Sequence, residues 1–207
     1  MDKITRLIGP VSGILFVVGF VLGAGISGDV DAEPTDSAST VVAEFREISD
    51  DILLGRLFTV LGIGFLLVFV GHLRAKFRDG GAGWAADGFL AGGVALAGAM
   101  IVFVGVELAG AEAADRGHAE VAQGAVDFLW NGTLLFSPGL LAVGITGAIA
   151  SFVHRILPIW LGALAVVVAL GAFAPWVGIV VFGLWVVAAG VVEVAQAVRN
   201  PATADAT

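Results

Sequence analysis

The sequence predicts an all-α integral membrane protein: a six-transmembrane-helix bundle with a long second helix extending outside the membrane, and with both termini cytoplasmic. Three observations predict it. Apolar residues make up 58% of the chain and charged residues only 14%, with a mean hydropathy of +1.01; a soluble domain averages about 45–50% and about 25%. Six stretches are long enough to cross a hydrocarbon core roughly 30 Å thick, which takes about 20 mostly apolar residues. Basic residues gather at one set of stretch ends and acidic residues at the other.

The first span, 7–27, follows Lys3 and Arg6. Its apolar run is long for a signal peptide and no clean Ala-x-Ala site follows, so it is expected to stay in place. Residues 28–36 read as irregular, with Pro34 among alternating acids. From 37 to 51 the period turns helical: Val41, Phe45, Ile48 and Ile52 fall at i, i+4, i+7 and i+11. Asp36 or Ser37 is placed to cap that helix. It is expected to run directly into the second span, 52–73, its apolar stripe packed on the protein's own outer loops.

A polar, glycine-rich inner loop at 74–87 leads to the third span, 88–110. The fourth, 127–151, carries Ser137-Pro138-Gly139 near its middle. Pro138 removes a backbone donor and pushes against the carbonyl of Leu134, so a helix kink is predicted there, as a static bend or a hinge. Thr133 or Ser137 is available to satisfy freed backbone groups. The fifth span, 157–174, is bracketed by Pro158 and Pro175, which suit helix ends. The sixth, 176–197, follows through the tight hairpin Ala174-Pro175-Trp176. Residues 1–199 thus form a single membrane domain and 200–207 a short cytoplasmic tail.

Orientation follows from charge, because short cytoplasmic loops collect Lys and Arg. Lys3, Arg6, Arg74, Lys76, Arg78, Arg155 and Arg199 lie at one set of span ends. Arg46 and Arg116 lie at the other, together with twelve acids in 28–51 and in the connection from the third to the fourth span. Tryptophan prefers the membrane boundary and gives the same answer. Trp84 and Trp160 fall at the inner boundary, Trp130 and Trp176 at the outer one. Trp185 alone sits deep, where its N–H needs a partner on another helix. The expected location is the plasma membrane of a prokaryote. Small-xxx-small pairs (Gly9 and Gly13, Gly19 and Gly23, Gly88 and Gly92) let helix backbones approach closely and support a compact bundle.

Several chemistries are excluded. The chain has no cysteine, so disulfides, iron–sulfur clusters and thiol catalysis are out. A net charge of −8 argues against nucleic acid as a partner. The centres of all six spans lack ionisable residues, which argues against a proton-coupled transporter. His72 and His154 sit beside basic residues at span ends and read as interfacial, and His118 lies in an acidic loop without a metal-ligand spacing. No catalytic constellation, metal site or cofactor is expected.

One cluster stands out. Arg56 is four residues into the second span, roughly 6 Å deep at 1.5 Å per residue, and Glu107 is roughly 5 Å deep from the same side. Asp127 and Asn131 open the fourth span on one helical face. These four residues are candidates for an outer-leaflet polar cluster, with Arg56 paired to Glu107 or Asp127. It reads as an ion pair between helices or as a pocket for a small or lipid-like ligand.

The chain resembles a group of uncharacterised small polytopic, six-helix membrane proteins of actinobacteria and some archaea. The resemblance rests on residues 45–79 with their Gly71-His72-Leu73-Arg74 ending, on Phe136-Ser137-Pro138-Gly139-Leu140, and on Leu157-Pro158-Ile159-Trp160-Leu161-Gly162. In the usual form of the last motif Arg precedes Trp; here Ile159 stands there. The resemblance implies a topology and no activity. The expected partners are the lipid bilayer and either a membrane protein or a lipid ligand. The expected function is non-enzymatic, as a sensor or accessory subunit, with a facilitator for a small solute as the alternative.

Overall fold

A computed structural model describes residues 3–28 and 30–199, without the side chains of residues 3–6 and 50. Asp29, the predicted tail at 200–207 and the side chains of Lys3 and Arg6 lie outside the described residues. Every regular element among them is helical: α1 (Lys3–Ser27), α2 (Ala38–Asp79), α3 (Gly83–Asp115), α4 (Ala119–Asn131), α5 (Ser137–Phe152), α6 (Ile159–Leu170) and α7 (Pro175–Arg199), with 3-10 turns at Gly132–Phe136 and Gly171–Phe173. Five stretches are long and apolar enough to cross a membrane: Leu7–Ser27, Asp51–Asp79, Gly83–Asp115, Ala119–Phe152 and Pro175–Arg199. α6 with its 3-10 turn is shorter, roughly 24 Å at the usual rises, and it runs antiparallel to α5. Gly162 abuts Ser151 and Phe152 at one end, and Ser137 reaches Ala172 at the other.

The helix ends follow from local chemistry. Ser37 caps α2, its hydroxyl accepting from the Thr40 N–H at 3.3 Å. α2 and α3 both end on a glycine at positive φ, Gly81 at 83° and Gly117 at 76°. In each case the following residue's N–H reaches back five residues, Ala82 to Phe77 and His118 to Ala113, both at 2.8 Å. Only glycine adopts that conformation without steric cost, which ends the helix and turns the chain.

The helices other than α4 close into a ring. α1 packs on α2, α2 on α3, α3 on α5, α5 on α6, α6 on α7, and α7 back on α1. Phe69, Phe89, Leu96, Leu140, Phe182 and Trp185 fill the middle, all essentially inaccessible. Trp185 donates to the Leu161 carbonyl at 3.0 Å, which supplies the partner its depth demands. The other four tryptophans are half exposed or more.

Glycine allows the closest approaches, because without Cβ two backbones can touch. Gly13 faces the Phe69 ring, Gly19 the Phe58 carbonyl at 2.9 Å, and Gly92 the Val143 backbone at 2.9 Å, each measured from where a Cβ would stand. A second, smaller core lies at the end where α4 begins. There Val41, Phe45 and Ile52 of α2 bury against Ala111, Ala114, Ala122 and Val126. Trp130 and Gln123 on α4 donate to the carbonyls of Ala32 and Pro34, both at 3.0 Å, and tie the irregular segment down. The stripe on residues 41–52 therefore packs on the protein itself.

The helical break around Pro138 lies just before it. The 3-10 turn at Gly132–Phe136 precedes Ser137, and Pro138 occupies the first turn of α5, where its missing N–H is tolerated. The tightened turn takes up the bond that Pro138 cannot donate to Leu134. The Ser137 hydroxyl donates to the Ala172 carbonyl at 2.7 Å, joining this break to the 3-10 end of α6.

Candidate functional site

Arg56 and Glu107 meet. The Arg56 Nη2 donates to Glu107 Oε1 at 2.7 Å, linking α2 to α3 about two turns before α3 ends. The Arg56 residue is 8% exposed, and its buried Nε makes no hydrogen bond. A buried cationic donor without an acceptor is costly, on the order of 1–3 kcal/mol or more, so an unfilled Nε is a notable feature of the fold.

The pair lines a cavity of about 200 Å³. Besides the pair it is lined by Thr59 of α2, whose hydroxyl donates to the Gly55 carbonyl, and by apolar and aromatic residues: Phe20 from α1, Met100 and Phe103 from α3, Phe136 from the 3-10 turn, and Trp176 and Ile179 from α7. Phe103 organises them, with ring centroids 4.9 Å from Phe136 and 6.5 Å from Trp176, the latter edge-on. Two further spaces share residues with it. Toward the α4 end, a pocket of about 360 Å³ shares Phe103, Glu107 and Trp176 and adds Val30, Leu129 and Trp130. Toward the bundle middle, a groove of about 400 Å³ between α1 and α7 shares Phe20 and Ile179.

Asp127 and Asn131 do not join this site. Both are exposed on α4, where the Asn131 amide donates to the Asp127 carbonyl at 2.9 Å, and neither lines the cavity. They sit at the right depth but on the wrong side of their helix, because Ala122, Ala125 and Val126 turn inward. Of the Ser137, Pro138 and Gly139 triplet, Gly139 is buried against Leu96 and Pro138 is exposed on the bundle's flank.

A polar cluster that the sequence reading missed lies at the opposite end. Glu193 of α7 is 6% exposed. It forms an ion pair with Lys76, and His72 Nε2 lies 3.4 Å from its other oxygen. Lys76 also donates to Gln196 at 2.9 Å. Gly9 makes room for His72, since a Cβ there would stand 2.5 Å from the ring. The cluster joins α2 to α7 with α1 against it. A signal was present: Glu193 is an acid near the end of a span whose neighbours at that end are basic. His154 lies in the turn after α5 and His118 is exposed at the start of α4. Among the described residues no three His, Asp or Glu side chains gather as a metal site would require.

The arrangement can bind. It offers a buried ion pair, a threonine hydroxyl and an aromatic wall, with an apolar groove beside it. No protein-family model, no curated protein and no solved structure matches this chain.

Proposed function

We propose that this chain is a six-span protein of a prokaryotic plasma membrane, with both termini inside, that binds a lipid-like amphiphile near the outer leaflet as a sensor or accessory subunit. The single observation that carries the reading is the cavity at Arg56: a buried guanidinium–carboxylate pair on a space whose other walls are mostly aromatic and apolar, with a separate apolar groove beside it. A ligand with a polar oxygen and a hydrocarbon part matches both halves. The pocket chemistry is that of small-molecule sites, mostly apolar with few placed polar groups. The facilitator reading is less well supported, since Leu96, Leu140 and Trp185 fill the bundle middle and Pro138 stands outside the cavity.

Threading rests on charge: the acidic α4 end outside, the basic end inside. In this reading α6 crosses as a short sixth span beside α5, and the first turns of α2 stand outside the hydrocarbon. The chain has no native cysteine, so single cysteines report cleanly. A membrane-impermeant maleimide on intact cells is expected to label Thr35→Cys and to leave Ala75→Cys unlabelled until the cells are opened; the reverse pattern overturns the orientation.

The binding reading is tested by native mass spectrometry of protein purified in mild detergent. The wild type is expected to carry one bound lipid per chain, and Arg56→Met to lose at least nine-tenths of it. Equal lipid on both proteins, or none on the wild type, overturns the reading.

A further inference from the structure

We propose that a second lipid site lies at the basic end of the bundle: a shallow pocket between the start of α6 and the end of α7, where Arg155 and the Gln196 amide hold the phosphate of an anionic phospholipid. The proposal goes beyond the reading above, from which it takes only the membrane and its threading. With the basic end inside, the lipid belongs to the inner leaflet.

Three observations carry it. The first is the donor set. The pocket, about 450 Å³, is lined by residues 155–159, which lead into α6, and by Gln196 of α7. Lys76 donates to the Gln196 side-chain oxygen at 2.9 Å, so the amide NH2 is the end left for the pocket. Arg155 is exposed and joins none of the ion pairs among the described residues. Both polar side chains on the pocket are therefore donors, and no carboxylate lines it. Of the acids at this end, Glu193 is held by Lys76 and Asp87 by Arg74, and Asp79 stands outside the lining. Arg199 follows Gln196 by three residues, on the same side of α7, and adds a second cation. A guanidinium and an amide NH2 match the oxygens of a phosphate. Nothing there receives an ammonium, so the head is one of net negative charge.

The second is the apolar rim. Ile159 in the lining, with Val153 and Trp160 beside it in the chain, are each more than half exposed. Exposed apolar side chains around a guanidinium, with a tryptophan among them, mark the boundary between hydrocarbon and water. Lipid phosphates stand at that level, and basic pockets between helices on the inner side suit anionic heads. A lipid sets its phosphate on Arg155 and its chains against the rim. Free phosphate would leave the rim unused.

The third is the residue chosen for the turn. Arg155 stands at φ 54°, and it is the one non-glycine residue at positive φ among the described residues. The Ile156 N–H reaches back to the Ala150 carbonyl at 2.9 Å and closes the turn after α5. At the ends of α2 and α3 the positive φ falls on glycine, Gly81 and Gly117. A side chain is disfavoured in that conformation. The turn itself gains nothing from arginine, and what position 155 supplies is the guanidinium.

The same conformation separates loss of binding from loss of fold. Arg155→Gly keeps the turn and removes the cation, and it is expected to melt no lower than the wild type. Should it fail to fold, Arg155→Asn carries the same test, since asparagine tolerates the conformation. The control is Arg78→Ala, which removes an exposed charge at the same end from outside the pocket. A shallow site empties in detergent, so lipid is added back. Each protein is titrated with phosphatidylglycerol, and separately with phosphatidylethanolamine, and the lipid bound beyond any that co-purifies is quantified by native mass spectrometry. Phosphatidylglycerol is expected to bind the wild type and Arg78→Ala alike. Arg155→Gly is expected to bind it roughly tenfold more weakly, the worth of one hydrogen bond to a charged group. Phosphatidylethanolamine is expected to bind the wild type more weakly than phosphatidylglycerol, and millimolar inorganic phosphate to displace neither. Undiminished binding to Arg155→Gly overturns the site, and equal losses in Arg78→Ala and Arg155→Gly overturn it in favour of diffuse charge. Equal binding of the two lipids overturns the anionic head, and displacement by phosphate overturns a lipid as the occupant. Arg56→Met is expected to bind added phosphatidylglycerol as the wild type does, so this site and the Arg56 cavity stand or fall separately. A loss there puts the added lipid at the other end of the bundle and overturns the proposal.

Discussion

Gly55→Leu is expected to prevent the bundle from assembling in its native form. A Cβ at Gly55 would stand 2.6 Å from the Gly23 carbonyl oxygen, 2.6 Å from Ser27 Cβ and 2.7 Å from the Ser27 nitrogen. Two of these atoms are backbone, and a backbone in a helix cannot step aside as a flexible side chain can. Relief requires α1 and α2 to separate. The contact is extended, since Gly62 meets the Phe16 carbonyl at 2.9 Å and Gly19 meets that of Phe58 at the same distance. Overpacking costs typically 1–3 kcal/mol and occasionally more. With leucine forced against backbone, about 3 kcal/mol or more is expected here. For a chain of this size that is a fall in melting temperature on the order of 10 °C, or loss of a monodisperse peak on size exclusion. Gly98→Leu is the comparison, because a Cβ at Gly98 meets nothing within 4 Å. It is expected to leave melting unchanged or to raise it slightly through helix propensity. A Gly55→Leu protein that melts with the wild type would show that α1 and α2 are not pressed together as described.

Lys76→Met should produce the second large effect. Glu193 is 6% exposed, and its carboxylate is held by Lys76 and by the nearby His72 imidazole. Removing the ammonium leaves a buried carboxylate facing only His72. Deleting one member of a buried pair costs about 3–5 kcal/mol. The Lys76 side chain is a quarter exposed, so the lower end of that range, about 3 kcal/mol, is expected. Removing both charges in Lys76→Met/Glu193→Leu should recover most of the loss, because no charge is then left in an apolar setting. Thermal melting of the two single variants, the double variant and the wild type gives the coupling directly. Additive losses would mean that the two residues act independently. The Arg74–Asp87 pair on the same end is different. Its side chains are 36% and 54% exposed, so Arg74→Ala is expected to change melting by less than about 1 kcal/mol.

Both effects fall where one residue meets a neighbour far away in the chain, and that marks the limit of what was legible beforehand. Position along a helix was readable wherever the pattern had one dimension. Apolar run length located the long helices, the polar residues ahead of Val41 offered Asp36 or Ser37 as the cap that proved to be Ser37, and the depth of Trp185 implied a partner that proved to be Leu161. The same arithmetic offered Glu107 or Asp127 as the partner of Arg56, since all lie within about one turn of the same span ends, and the structure gives Glu107. Asp127 and Asn131 passed that depth test and still point away. Depth says nothing of rotation about the helix axis, and on α4 the small residues Ala122 and Ala125 took the inward face. Glu193 was overlooked although its depth matched Lys76 and His72, because its neighbours in sequence are all apolar or small and its two partners lie on another helix.

The sequence by itself determined that the chain is helical, apolar and charge-segregated from end to end. These properties depend on free energies of transfer from water that add residue by residue along a segment. Only the tertiary structure decided that α7 closes the ring on α1, that α6 shortens into a 3-10 turn against Gly178, that Arg56 keeps an unfilled Nε, and that a groove opens beside Gly183. Those outcomes depend on how each helix turns about its own axis, which is set by where glycines let backbones touch and where rings such as Phe103 and Trp176 hold them apart. That fit is a property of two surfaces at once, and no single segment carries it.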